Sequence, residues 1–210
     1  MDSVYRDRED AGARLARDLA SLTGRPDVVV LGLLRGGAPV AAVVANRLQV
    51  AYDVLVIRKL GLPAAPEVAF GAIGSGGVRV INREVADRLD AAQIAQVTEV
   101  ETAELHRRER RFRGDRPAVD LAGRTAVLVD DGLATGATAR AAVAVCRGLG
   151  AARVMVAVPV GSAAAVAALR DVVDGLVCPL QPDDFQAVGQ YYDDFHQVGD
   201  DEVVGLPVGG

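Results

Sequence analysis

Val127-Leu128-Val129-Asp130-Asp131-Gly132-Leu133-Ala134-Thr135-Gly136-Ala137-Thr138 is the stretch from which the rest of the chain is read. Thr125 to Val129 is a short apolar run, partly β-branched, entered after Gly123, and it predicts a buried strand. Two acids stand at its carboxyl end. A loop of small residues follows. Ala139 to Leu149 then predicts a helix closed by Gly150.

This order of elements has a physical use. Thr135 to Thr138 would lie at a helix N-terminus, where free backbone N–H groups and the helix dipole favour a phosphate. Ala134, Gly136 and Ala137 are small enough for an anion to approach the backbone, and Thr135 and Thr138 add hydroxyl donors. A carboxylate pair cannot face that phosphate without repulsion. Asp130 and Asp131 therefore suit the hydroxyls of a diol on the same ligand. A phosphate at one end and a diol at the other describe a ribose 5-phosphate. Both carboxylates are expected at the ligand rather than in the core, so removing both charges should leave the fold intact.

The stretch from Val127 to Ala139 resembles the phosphoribosyl pyrophosphate (PRPP) loop of type I phosphoribosyltransferases: a hydrophobic strand, two acids, two spacers and a small Thr-Gly-x-Thr-like turn. The resemblance implies transfer of the 5-phosphoribosyl group from PRPP to a nitrogen acceptor, a nucleobase or related heterocycle, with release of pyrophosphate. It implies Mg²⁺ as cofactor, with Asp130 and Asp131 meeting the metal indirectly through bound PRPP. Ala134, Thr135, Gly136, Ala137 and Thr138 would anchor the 5-phosphate. The alternative within the same resemblance is a PRPP-binding regulatory or sensor protein without transferase activity.

The chain as a whole fits that size and chemistry. Its 210 residues suit one α/β domain. Half are hydrophobic but only 4% are aromatic, so Val, Ala and Leu must build the core. A net charge of −5 argues against general nucleic-acid binding. Cys146 and Cys178 have no metal or redox spacing and read as small buried hydrophobes. No secretory pattern opens the chain and no apolar run reaches spanning length, so a cytoplasmic protein without membrane contact is expected.

Upstream of the loop, Arg6 to Leu22 predicts an amphipathic helix with a structural role. Val28 to Leu33 predicts the first buried strand, and a helix runs from about Pro39 to Leu48. Between them, Arg35, Gly36 and Gly37 form a second candidate anion site: the glycines open the backbone and the guanidinium offers a donor fork. In the resembling family this loop holds pyrophosphate, often with an unusual peptide geometry. Asp53 to Ile57 predicts a strand that delivers Arg58 and Lys59 at its carboxyl end, where ligands of open α/β sheets sit. There they would neutralise pyrophosphate or form a solvated strand end. Asp130, Asp131, Arg35 and Lys59 make the candidate catalytic set.

Residues 60–77, rich in Gly and Pro and with Glu67 as their one acid, read as an irregular segment. The resemblance makes it a mobile loop over PRPP. Val78 to Ile81 predicts a short strand. Glu84 to Arg113 predicts one helix of about thirty residues and about 45 Å, long enough to suggest packing on a second subunit, hence a homodimer. Its basic end, Arg107 to Arg113, reads either as cations on a solvated helix C-terminus or as an anion site for pyrophosphate or an RNA contact, the last opposed by the acidic whole. After the PRPP-like loop come a strand over Arg153 to Val160, a helix capped by Ser162, and a last strand over Val172 to Cys178. Strand and helix alternate, so a parallel, Rossmann-like sheet of about five strands with helices on both faces is expected. The whole chain, 1–210, is read as one domain with its core at about 7–178 and a small hood at about 179–197.

Four of the eight Phe and Tyr residues fall in that hood. Phe185, then Val188-Gly189-Gln190-Tyr191-Tyr192-Asp193, resembles the hood of purine-type members, with one extra residue between the Phe and the Gly. Phe185, Val188 and Asp193 are the candidate acceptor contacts; an aromatic minicore capping the sheet is the other reading. Two departures bear on the acceptor. Hypoxanthine-guanine members carry a further acid where this chain has Ala134. They also carry a lysine after the next strand, where this chain has Ser162, and no lysine follows Lys59. Those two bases are disfavoured. The tail from Val198 is expected to be ordered in part through Val203 and Leu206.

Overall fold

The computed structural model describes residues 4–206. Five parallel strands form the main sheet: β1 (Val28–Leu33), β2 (Ala51–Leu55), β6 (Thr125–Val129), β7 (Arg153–Ala157) and β8 (Gly175–Val177), in the order β2-β1-β6-β7-β8. Every residue of β1 and β6 is buried, because both faces of these central strands are covered. Parallel strands of this kind read as continuous apolar runs.

The side chains of β1 and β6 divide between two cores by the two-residue period of a strand. Val28, Val30, Val127 and Val129 pack towards α2 (Gly37–Leu48) and α1 (Arg8–Asp18). Val29, Leu31, Ala126 and Leu128 pack towards α5 (Ala137–Gly148) and α6 (Ala163–Arg170). Ser162 caps α6 as expected, accepting from Ala165 N–H at 3.2 Å. Both cysteines are buried.

Residues 60–77 correct the expectation of an irregular segment. β3 (Ile57–Leu62), β4 (Ala65–Gly74) and β5 (Val78–Ile81) form a three-stranded antiparallel sheet. Its glycines are close-approach positions inside the sheet rather than loop markers. A Cβ at Gly61 would lie 2.5 Å from the Pro66 carbonyl, and one at Gly71 would overlap the Val80 carbonyl. Leu60 and Phe70 are completely buried in a third core with Leu105. Glu67 lies within β4; its side chain is outside the described structure.

The long helix is also corrected. α3 (Arg83–Ala86) ends early, and α4 (Ala91–Arg113) starts afresh behind a capping box of Asp90 and Gln93. Its 23 residues reach about 35 Å, and the length argument for a second subunit goes with the lost turns. The strand predicted from Asp53 ends at Leu55, and Arg58 and Lys59 belong to β3. At the C-terminus α7 (Asp200–Val204) places Val203 in the first core with Leu206 against it; residues 207–210 of the predicted tail lie outside the described residues. No described helix is long and apolar enough to cross a membrane.

Candidate functional site

Strand β1 leads to β2 on one side of the sheet and, through the intervening chain, to β6 on the other. The crevice at the carboxyl ends of β1 and β6 is therefore the topological switch point, where ligands of open α/β sheets bind. The two predicted anion loops, Arg35–Gly37 and Asp130–Thr138, meet there. A Cβ at Gly36 would overlap the Asp131 carboxylate; one at Gly37 would overlap the Val129 carbonyl and lie 2.7 Å from Asp130 Cα. The glycines are needed because one loop rests on the other. The Leu34–Arg35 peptide bond is cis, in line with the unusual geometry that the resemblance implied. Gly37→Ala is expected to push the loops apart, at a cost of about 1–3 kcal/mol, and to weaken anion binding. Thermal denaturation with calorimetry would check both.

Downstream, Gly136 takes the left-handed conformation that starts α5, with φ 74°. The N–H groups of Thr138 and Ala139 precede the first intrahelical bond, from Arg140 N–H to the Gly136 carbonyl at 2.9 Å. Thr135 and Thr138 are exposed beside them. This helix start is where the sequence reading expects the phosphate.

Asp130 and Asp131 are half-buried at its edge. Burial, with the neighbouring Asp131 charge second, pushes the Asp130 carboxyl well above the ordinary carboxylate range. Burial also raises Asp131, opposed by Arg8. That arginine, on α1, is 7% exposed, and its Nε and Nη2 both lie 2.9 Å from Asp131 Oδ2. Its Nη1 donates to the His196 carbonyl at 2.9 Å, and its guanidinium sits 4.1 Å from the centroid of the Phe195 ring. Tyr192 donates its hydroxyl to the Asp131 carbonyl at 2.6 Å, and burial holds that hydroxyl protonated. Asp131 thus carries structural load, which corrects the expectation that both charges are free of the fold.

Of the predicted acceptor contacts, Val188 reaches the acidic loop, packing directly over Gly132. Phe185 instead stacks on Tyr191 at 5.8 Å, and Tyr191 belongs with Tyr5 and Tyr192 to a separate minicore. Asp193 is exposed, its N–H bonded to the Tyr5 carbonyl at 2.9 Å. Phe195 lines one cavity of about 380 Å³ with Arg8, Arg35, Gly36 and Asp131. Sequence reasoning passed over Arg8 and counted Phe195 only among the four rings of the hood. Arg8 lay in a helix read as structural, and its partners are 123 and 188 residues away.

Arg58 and Lys59 are not brought to this crevice. Arg58 Nε pairs with Glu101 on α4 at 2.6 Å, and Lys59 is exposed; both line a different groove, against Val97 and Val100. Their expected place at a parallel strand end is corrected, because β2 stops before them. The cations beside Arg35 come from α4: Arg107, Arg108 and Arg111 line a cavity of about 370 Å³ with Arg35 and Asp200.

A buried network holds this end of α4 in place. Arg113 Nε lies 3.1 and 3.0 Å from the two Asp53 carboxylate oxygens on β2. Arg113 also donates to Ser75 Oγ at 2.9 Å and to the Val54 carbonyl. Asp53 further accepts from Val54 N–H at 2.8 Å and Val119 N–H at 3.1 Å.

The family model for the phosphoribosyl transferase domain matches residues 2–196. The chain belongs to that family. A Thermus thermophilus protein of solved structure, TT1426, is 44% identical to this phosphoribosyl transferase domain, with a TM-score of 0.88 and 96% of each chain covered. A purine phosphoribosyltransferase from Pyrococcus horikoshii is 18% identical with a TM-score of 0.50, covering 95% of this chain and 99% of that one, a likeness of fold alone. A provisionally named phosphoribosyl transferase, present in two strains of Mycobacterium tuberculosis, is 53% identical over 203 residues. The match takes in 96% of this chain and 46% of the relative, so the chain spans about half the length of the curated relatives it matches.

Proposed function

We propose that this phosphoribosyl transferase domain moves the 5-phosphoribosyl group of PRPP to a nitrogen nucleophile and releases pyrophosphate. The observation that carries this reading is the direct packing of the Arg35–Gly37 loop on the Asp130–Asp131 turn at the switch point. On this reading the Arg35–Gly37 loop takes the diphosphate, the Asp130–Asp131 turn the diol and the α5 N-terminus the 5-phosphate of one ribose.

The roles follow from the chemistry of the groups. The first turn of α5, with Thr135 and Thr138, holds the 5-phosphate, so binding energy far from the reacting carbon orients it. Asp130 and Asp131 accept from the ribose hydroxyls, and their field favours positive charge developing on the ring. The Arg35 guanidinium and the backbone of Gly36 and Gly37 receive the departing diphosphate. Closure over the ligand belongs to this reading as movement of the β3–β4 tip beyond Leu62 and Ala65 alone, since Leu60 and Phe70 are held in the third core.

Magnesium fits the donors present. Among the described residues no group of three or more His, Cys, Asp or Glu forms a metal cage, and magnesium is commonly held by one or two carboxylates and substrate phosphates. Asp130 and Asp131 are the hard oxygen donors that would face it, and its chemistry there is neutralisation of phosphate charge.

The acceptor is a flat nitrogen heterocycle entering the cavity that Phe195 lines with Arg8, Arg35 and Asp131. Ser162 is already committed, capping α6 and donating to the Ala134 carbonyl at 2.8 Å, so it offers no counterpart to the lysine of hypoxanthine-guanine members. Calorimetric titration of PRPP with and without Mg²⁺, followed by pyrophosphate release across a panel of nucleobases and heterocyclic amines, tests the proposal. Binding and release with one acceptor are expected. Binding without release across the panel would favour a sensor; absence of binding would remove the reading.

A further inference from the structure

Arg107, Arg108 and Arg111 share one face of α4 by their spacing of three and four residues. With Arg35 they put four guanidiniums around the 370 Å³ cavity. The carboxylates set against them are few. Glu104 serves Arg107 at 2.7 Å and Arg108 at 2.8 Å with one side chain. The others come from α7: Asp200 and Asp201.

Asp200 has a particular place. Its Oδ1 lies 3.3 Å from Arg35 Nη1 and its Oδ2 3.9 Å from Arg111 Nε. Charge-assisted hydrogen bonds usually close to about 2.7–2.9 Å; these two pairs are long, and the groups are 37–42% exposed. A carboxylate is therefore held loosely between two arginines, in a cavity with two more. α7 itself is five residues long, with Val203 its buried residue, and Asp200 stands at its first position, so this carboxylate can turn aside while Val203 stays in the core.

We propose that Arg107, Arg108 and Arg111 of α4 extend the diphosphate site of the Arg35 loop into this cavity and that Asp200 is an internal competitor there, displaced when the ligand enters. The site adds Arg107, Arg108 and Arg111 to the Arg35 loop, and its naming of pyrophosphate rests on the transfer reading above. Each exposed ion pair contributes little, so removing the competitor changes affinity modestly, whereas removing two of the four cations changes it strongly.

The test is calorimetric titration of inorganic pyrophosphate into the folded chain, free of divalent metal and of PRPP. Asp200→Asn is expected to tighten binding about threefold to tenfold. Arg107→Gln with Arg111→Gln is expected to weaken it by at least about tenfold. Arg110→Gln, on the same helix but outside the cavity lining, should leave it unchanged, which separates a site from net charge. Melting curves confirm that each variant is folded. No heat at millimolar pyrophosphate, no tightening in Asp200→Asn, or equal losses in the Arg110 and Arg107/Arg111 variants would overturn the proposal. A chain that shows the expected pattern yet transfers nothing from PRPP would overturn only the transfer reading.

Discussion

Asp130→Asn is expected to fold at least as stably as the parent and to lose PRPP transfer by on the order of 10²-fold or more. The two effects have one cause. The Asp130 carboxyl is pushed up, first by burial and then by the Asp131 charge, so keeping it ionised costs folding free energy. A carboxyl raised above its unfolded value of about 3.9 has its full stabilising effect below that pH. The effect is lost as pH rises through the folded pKa. Asparagine never ionises and escapes the loss. The melting temperature of Asp130→Asn relative to the parent should therefore climb from about pH 4 upward and level off once the parent carboxyl has ionised. Asp131→Asn should behave differently. It leaves Arg8, 7% exposed, without its carboxylate, and breaking such a pair costs about 3 kcal/mol. For a chain of this size that lowers the melting temperature by roughly 6–12 °C. Melting curves over pH, beside single-turnover transfer assays, read both. Full transfer in Asp130→Asn, or its unfolding, would contradict the assignment.

The larger stability effect is expected at Asp53. Asp53→Ala leaves the Arg113 guanidinium, 6% exposed, facing Ser75 and the Val54 carbonyl, with the longer contact to Glu109 at 3.5 Å as its remaining counter-charge. The expected loss is about 3–5 kcal/mol, a fall in melting temperature of roughly 6–20 °C. Arg113→Met alone strands the carboxylate instead and should cost a similar amount. The double variant replaces the pair by apolar groups and should recover most of the loss, since a buried ion pair is much costlier to break than to remove. The same network seats α4 beside the carboxyl end of β2, so Asp53→Ala should also weaken pyrophosphate binding while the double variant restores it in part. Urea unfolding of the four proteins closes the cycle. An Asp53→Ala variant within about 1 kcal/mol of the parent would show that the pair does not hold the helix.

Local pattern made much of this molecule legible. The runs Val28–Leu33 and Thr125–Val129 are strands to the residue, because a strand buried on both faces must be apolar throughout. The Arg35–Gly37 loop, the Asp130–Asp131 turn and the α5 N-terminus were readable for the same reason. Each is a short segment whose residue types answer to the geometry of its own backbone. Residues 60–77 misled because glycine marks both a free loop and a close approach. Only the partner, Pro66 for Gly61 and Val80 for Gly71, distinguishes them. The helix break at Asp90 was hidden because an apolar stripe continues on both sides of the cap.

What the sequence determined by itself was therefore the parallel sheet and the two loops that meet at its switch point. The tertiary structure alone decided which cations join them. Arg58 and Lys59 stand close to the loops in the chain but turn away on β3. Arg8, Phe195, Arg107, Arg108, Arg111 and Asp200 come from far off and converge. Periodicity within a segment records which face of that segment is buried. It carries no record of which distant charge that face will meet, because such pairings are set by the packing of whole elements.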